Sequence, residues 1–226
     1  TVGKFLARKQ TPLEKANAMI CTSGYNIGAF AVPFCQSFFS PEILSYIIMF
    51  DIGNCIMCLG GSSAIARFEI DENSHFSVMA IVRKLARSVS FDVYMFLILI
   101  SLLNVKIPDS LMMIISMIGN ANVFLIMFMI GMQIELSFSL RSISSISKII
   151  FVRYGFALLF AAVIQMLPID IACKTALTVV VFAPLSSVTT IFSQELGCDT
   201  SVAALAGSLS MPISVCAFVV LLIFLA

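Results

Sequence analysis

Seven long apolar stretches, separated by short polar or charged segments, constrain this chain more than any other feature. They cover residues 17–39, 43–66, 89–105, 110–136, 147–167, 171–194 and 201–226. A bilayer's hydrocarbon core is about 30 Å thick and takes about 20 helical residues to cross. Lipid offers the backbone no hydrogen-bond partners, so such stretches are expected to be helices that satisfy their own peptide groups. Hydrophobic residues make up 60% of the chain and charged ones 11%, under half of the roughly 25% usual in soluble domains. The expected fold is therefore all-α: a polytopic membrane protein, with residues 1–226 forming one transmembrane domain.

The cations set the orientation. With the amino terminus in the cytoplasm, the inner segments hold Lys4, Arg8, Lys9, Lys15, Arg67, Arg83, Lys84, Arg87, Arg141, Lys148 and Arg153. The outer ones hold Lys106 and Lys174. That asymmetry obeys the positive-inside rule and predicts seven crossings, with the carboxyl terminus outside. The plasma (inner) membrane is the expected location. The chain opens on Thr1 and a polar, basic segment without the shape of a signal peptide, so the natural protein is expected to begin earlier. Residues 67–88 form the one sizeable loop, cytoplasmic on this topology. Its first part, around His75, is expected in water. Its second part places Val78, Val82, Leu85 and Val89 on one helical face, away from Arg83, Lys84 and Arg87, the pattern of an interfacial amphipathic helix.

Two interrupted spans carry the functional signal. One reads Gly24-Tyr-Asn26-Ile-Gly-Ala-Phe-Ala-Val-Pro33, the other Val181-Phe-Ala-Pro184-Leu-Ser186-Ser187. A central proline removes a backbone donor and clashes with the preceding turn. Interrupted helices at corresponding places in two halves point to a transporter's substrate site. The freed N–H groups and the positive end of a half-helix suit a carboxylate. Asn26, Pro33, Pro184, Ser186 and Ser187 are thus the candidate substrate-binding residues. The plainer account is two kinked helices whose serines or waters re-satisfy the backbone.

Asp51 lies within the second stretch, with Asn54 and Cys58 on its helical face at spacings of three and four. An ionisable group at that depth faces protein or water. Asp51 and Asn54 are candidates for holding a coupling proton or sodium ion; the alternative is a hydrogen-bonded structural carboxyl. Asn120 and Asn122 suit polar contacts between helices, and Glu135, Asp92 and Asp170 fall near span ends. Ser208, Ser210, Pro212 and Ser214 either flank the site or allow close packing. Cys55 and Cys58 have metal or redox spacing but no second ligand pair, so an inert pair is expected and no metal site. No cofactor beyond a coupling ion is expected. The chain contains no phosphate-binding glycine loop, zinc pattern or nucleophile elbow, and neither an enzyme nor a nucleic-acid partner is expected.

The run from Asn26 to Pro33 resembles the Asn-x6-Pro signature of the auxin efflux carrier family, which includes bacterial malate and malonate permeases. The stretch from Phe182 to Gly197, the Ser208–Ser214 region and the run Gly119-Asn-Ala-Asn-Val-Phe-Leu-Ile-Met-Phe-Met-Ile-Gly131 resemble further parts of it. The resemblance implies a ten-helix fold of two inverted five-helix repeats, with residues 17–66 ending the first repeat and 89–226 forming the second. Three preceding helices would then be missing from this chain. It also implies an elevator-type carrier of dicarboxylates or auxin-like carboxylates, with Asn26, Pro33 and Pro184 where two crossover helices meet and a scaffold that forms homodimers. Ala31 stands where the family often has glycine, and Ser90-Phe91-Asp92 replaces its usual asparagine-proline pair. The alternatives are a sodium-coupled carrier of the bile-acid symporter type and a membrane receptor or assembly subunit that transports nothing.

Overall fold

The computed structural model describes residues 11–71, 78–132 and 143–225. Its first helix, α1 (Pro12–Ser23), starts five residues ahead of the first apolar stretch. Thr11 and Glu14 close a capping box over its first turn, and Pro12 takes the first helical position, where no N–H is needed. After a three-residue interruption the chain continues as α2 (Ile27–Gln36), whose opening turn, Ile27–Ala31, is a π-turn. α3 (Pro41–Ile70) is a single helix with a second π-turn at Met57–Gly61. Glu69, expected in an aqueous loop, lies in the last turn of α3, 3.9 Å from Lys15 on α1. Residues 72–77, which include His75, are outside the described residues.

The remaining helices are α4 (Val78–Leu85), α5 (Val89–Leu102), α6 (Asp109–Met132), α7 (Ile143–Met166), α8 (Ile171–Val181), α9 (Val188–Glu195) and α10 (Thr200–Leu225). The described part of every apolar stretch falls mainly on this set. Among the described residues the only strand-like pairing is one isolated antiparallel bridge, Tyr25 to Leu185. α3, α7 and α10 are long and apolar enough to cross a membrane, and shorter apolar helices accompany them. α4 packs on the π-turn of α3, burying Leu85 and leaving Val78, Met79 and Val82 exposed. Glu135 and Arg141 lie outside the described residues.

Packing follows from the interruptions. α1 packs on α9 and on the end of α3, while α2 and the first half of α3 pack on α8. α7 and α10 lie against α8 from the other side. The largest core cluster joins α2, α3, α7, α8 and α10 through Phe30, Phe34, Ile47, Ala157, Val179 and Phe218. Phe218 stands in the middle, its ring 5.9 Å from that of Phe30 and 5.3 Å from that of Phe34. α5 touches α3 and α6 touches α2, and both otherwise expose large apolar side chains such as Phe96, Leu99, Met113 and Ile118. So much exposed apolar surface needs lipid or protein against it, and with three helices long and apolar enough to cross a bilayer the architecture is compatible with a membrane protein.

Phe218 is 1% exposed, and truncating a buried phenylalanine costs about 3–5 kcal/mol. Phe218→Ala is expected to lower the unfolding midpoint in detergent markedly. Phe224→Ala, at an exposed position of the same helix, is expected to leave the midpoint nearly unchanged.

Candidate functional site

The first interruption falls at Gly24-Tyr25-Asn26, not at Pro33 as the sequence suggested. Pro33 is buried inside α2, seven residues beyond Asn26. The reason lies in the π-turn before it. There the Val32 N–H reaches back five residues to the Ile27 carbonyl, and the Ala31 N–H to that of Asn26. A widened turn accommodates the proline ring and its missing donor without breaking the helix. The actual break is set by Gly24, where two chain segments come very close. A Cβ on Gly24 would lie 2.7 Å from Cys58 Sγ and 3.1 Å from Ser186 Cβ.

The second interruption runs from Phe182 to Ser187, and Pro184 does lie inside it. The two breaks meet face to face. Tyr25 bridges Leu185, the Asn26 N–H donates to the Pro184 carbonyl at 2.9 Å, and Asn26 Nδ2 donates to Ser187 Oγ at 3.0 Å. Backbone groups freed from a helix must find partners when buried, and side chains from two neighbouring helices supply them. On α10, Ser214 Oγ donates to the Phe182 carbonyl at 2.6 Å, and Ser210 Oγ accepts from the Leu185 N–H at 3.0 Å. On α7, Arg153 Nη2 donates to the carbonyls of Ala183 and Pro184, both at 3.0 Å. Tyr154 OH holds both α10 positions, donating to the Ser210 carbonyl at 2.7 Å and lying 2.8 Å from Ser214 Oγ.

The first break is closed from α3. Asn54 Oδ1 accepts from the Tyr25 N–H at 3.1 Å, and Asn54 Nδ2 donates to the Tyr25 carbonyl at 2.9 Å. A carboxamide thus stands in for a neighbouring strand on one side of Tyr25, while Leu185 occupies the other. The donor and acceptor on Tyr25 fix which way the amide points. Its second Nδ2 hydrogen goes to Asp51 Oδ1 at 3.0 Å, and its oxygen also accepts from Cys58 Sγ at 3.2 Å. Asp51 is buried, and its other oxygen accepts from Tyr94 OH of α5 at 2.6 Å. Gly28 makes room for that pair: a Cβ there would sit 3.0 Å from Asp51 Oδ2 and 3.6 Å from Tyr94 OH.

A cavity of about 510 Å³ opens beside the crossing, lined by Asn26, Asp51, Asn54, Tyr94 and Ser186 among others. Of the residues singled out from the sequence, Asn26, Ser186, Asp51 and Asn54 share this cavity. Ser187 borders it through its bond to Asn26, and Pro184 contributes its backbone carbonyl. Pro33 is elsewhere. Ser210 and Ser214 act on the backbone of the second break, and Cys55 and Cys58 line the cavity as free thiols.

Arg153 is the residue that the sequence misplaced. Counted with the inner-loop cations, it is 5% exposed and sits ten residues into α7. Its guanidinium lies over the Tyr25 ring, 4.5 Å from the ring centre. The signal was an arginine flanked by Ile149, Ile150, Phe151, Val152 and Tyr154. A helix starting at Ile143, four residues ahead of the apolar stretch, carries it inward. Tyr94 was missed because a tyrosine in an apolar run looks like any other interfacial or core aromatic. No protein-family model and no curated protein matches this chain.

Asn54→Ala would strip the partners from a buried peptide group and from one Asp51 oxygen. Each unsatisfied buried group costs about 1–3 kcal/mol, so the variant is expected to melt well below the parent in detergent. Asn120→Ala, at an exposed position, is expected to melt like the parent. An equal melting point for Asn54→Ala would show that the amide does not hold the break together.

Proposed function

We propose that this chain is a secondary transporter of small organic anions that works by alternating access, of the type found in the auxin efflux carrier family. The observation that carries the reading is the meeting of two interrupted helices at a buried polar point beside a cavity. Non-helical backbone at membrane depth is tolerated where protein buries it or where it lines a water-filled cavity, and carriers place substrate and coupling ions at such points. In this reading α1–α2, α3, α5, α6, α7, α8–α9 and α10 are seven crossings, with the amino side cytoplasmic. The pairs α1–α2 and α8–α9, each followed by a long helix, correspond in two inverted repeats. A carboxylate in the cavity would meet the Asn26 amide, the Ser186 hydroxyl and the positive end of α9.

Asp51 is the coupling group in this scheme, and a proton suits it better than sodium. Asn54 Oδ1 already accepts two hydrogen bonds, which fills the lone pairs a sodium ligand would need. Tyr94 OH both donates and accepts, so it can turn from donating to ionised Asp51 to accepting from the protonated acid. Protonation then requires rotation of one hydroxyl and no repacking.

The test is uptake of labelled malate, malonate and an indole carboxylate into proteoliposomes, driven by an imposed proton or sodium gradient. Proton-driven accumulation is expected for one of these classes. It should fall at least tenfold in Asn26→Ala, whereas Asp51→Asn should lose accumulation but keep exchange of bound for free substrate. Sodium-driven accumulation would replace the proton with sodium. Uptake equal to protein-free vesicles for every anion, from a folded protein, would remove the transporter reading.

A further inference from the structure

The short helix α4 is held by a notch in α3. It packs on the π-turn Met57–Gly61, where the missing side chain of Gly60 makes room for Ile81. A Cβ on Gly60 would collide with Ile81 Cγ2 and lie 3.3 Å from both Ile81 Cβ and Cγ1. Ile81 and the buried Leu85, one turn apart, form the inward edge of α4. The adjoining face is open: Val78, Met79 and Val82 are 63%, 67% and 50% exposed. Arg83, one turn on from Met79, and Arg87, one turn on again, border that face and are exposed as well. A helix this short is not stable in water by itself, and α3 covers only one of its sides.

The height of the notch says what covers the other. Gly60 comes nineteen residues after Pro41, the first residue of α3, which is about 28 Å at 1.5 Å per residue. That matches one hydrocarbon thickness of about 30 Å. α4 is thereby held where the apolar core of a bilayer gives way to headgroups, while the end of α3, with Arg67 and Glu69, continues past that level. An apolar face with a cationic border at this height complements an anionic lipid leaflet.

The seat of α4 is also part of the cavity beside Asp51. Cys58 and Leu59, next to Gly60 in the π-turn, line that cavity from α3. Ser88 and Val89, where α4 passes into α5, line it from the other side. Cys58 Sγ further donates to Asn54 Oδ1 at 3.2 Å, the amide that closes the first break. α4 therefore braces two sides of one cavity wall.

We infer that α4 couples the charge of the facing leaflet to this cavity. Anionic lipid takes Val78, Met79 and Val82 into its surface and Arg83 and Arg87 onto its headgroups, which keeps Ile81 in the Gly60 notch and the wall closed. On a neutral leaflet α4 leaves the notch more readily and the wall loosens. The inference rests on the membrane topology of the proposed function and adds a regulatory lipid to it.

The chain has no tryptophan, so Val82→Trp places a single reporter on the open face. The whole chain is reconstituted in phosphatidylcholine vesicles, with or without phosphatidylserine, that contain phosphatidylcholine brominated near the headgroup. Quenching of the reporter is expected to be at least twofold stronger with phosphatidylserine, and Arg83→Gln with Arg87→Gln should remove the difference. The cavity is read from labelling of Cys55, a half-buried thiol in its wall, by a small polar methanethiosulfonate, located by peptide mass. Phosphatidylserine should slow that labelling at least threefold. Ile81→Ala, which empties the notch, should label at the same rate with either lipid, and so should Gly60→Ala, which fills it. Equal quenching in the two kinds of vesicle overturns the inference. So does a reporter shielded from water that brominated lipid does not quench, the mark of a protein partner or a second copy. Labelling of Cys55 that ignores phosphatidylserine overturns the coupling. Any of these results in a protein that still takes up anions would leave the transporter reading standing. Both lipid effects in a protein that takes up none would sink that reading and keep this one.

Discussion

Unpaired peptide groups dominate this architecture. A helix that stops inside a packed apolar interior frees donors and acceptors that its surroundings cannot satisfy, and each one left bare costs about 1–3 kcal/mol out of a margin of about 5–15 kcal/mol. Here two such helices stop at the same place, and their freed groups partly satisfy one another through the Tyr25–Leu185 bridge and the bond from Asn26 to Pro184. The rest is supplied by one amide on α3, two serines on α10 and one guanidinium on α7. Three helices are thereby fixed around the crossing by hydrogen bonds. The apolar cluster around Phe218 seals the same point from the α2 side.

Closing the breaks also determines where charge sits. Asp51 is positioned by the amide that pairs with Tyr25, and Arg153 by the carbonyls around Pro184. Neither is placed by an opposite charge: Asp51 accepts from an amide and a phenol, and Arg153 donates to backbone. A buried acid and a buried cation thus lie near one aromatic residue, the acid bonded by neutral groups and the guanidinium through Nη2 alone among the described residues. Such an arrangement tolerates protonation of Asp51 better than a direct ion pair would, since a direct pair would have to be broken first.

The helical architecture was legible because long apolar runs with few polar breaks, such as 43–66 and 201–226, leave the backbone to satisfy itself as helix. The meeting of Asn26 with Ser187 was also foreshadowed, because each interruption combines a helix-breaking residue with small polar ones. Pro33 misled for a physical reason. A proline demands local widening, which a π-turn gives more cheaply than a break, whereas Gly24 signals a close approach that only its distant neighbours Cys58 and Ser186 define. Arg153 was misread because the charge rule treats a cation near the end of an apolar run as solvated. Whether it is depends on carbonyls thirty residues away, and no local pattern contains them. The same holds for Tyr94, whose role comes from Asp51, on another helix.

Tyr25 forms a wall of two cavities, the one beside Asp51 and a second of about 270 Å³ beside Arg153, its backbone clamped by Asn54 and Leu185 and its ring held between Arg153 and Phe50. Thermodynamic reciprocity then applies to whatever passes through it. If filling the cavity at Arg153 displaces the ring and so alters the proton affinity at Asp51 by some factor, protonation of Asp51 alters the affinity for that cavity's occupant by that same factor. Under that condition the occupants of the two cavities need never touch to be coupled, since one shared side chain would join their occupancies in a single equilibrium.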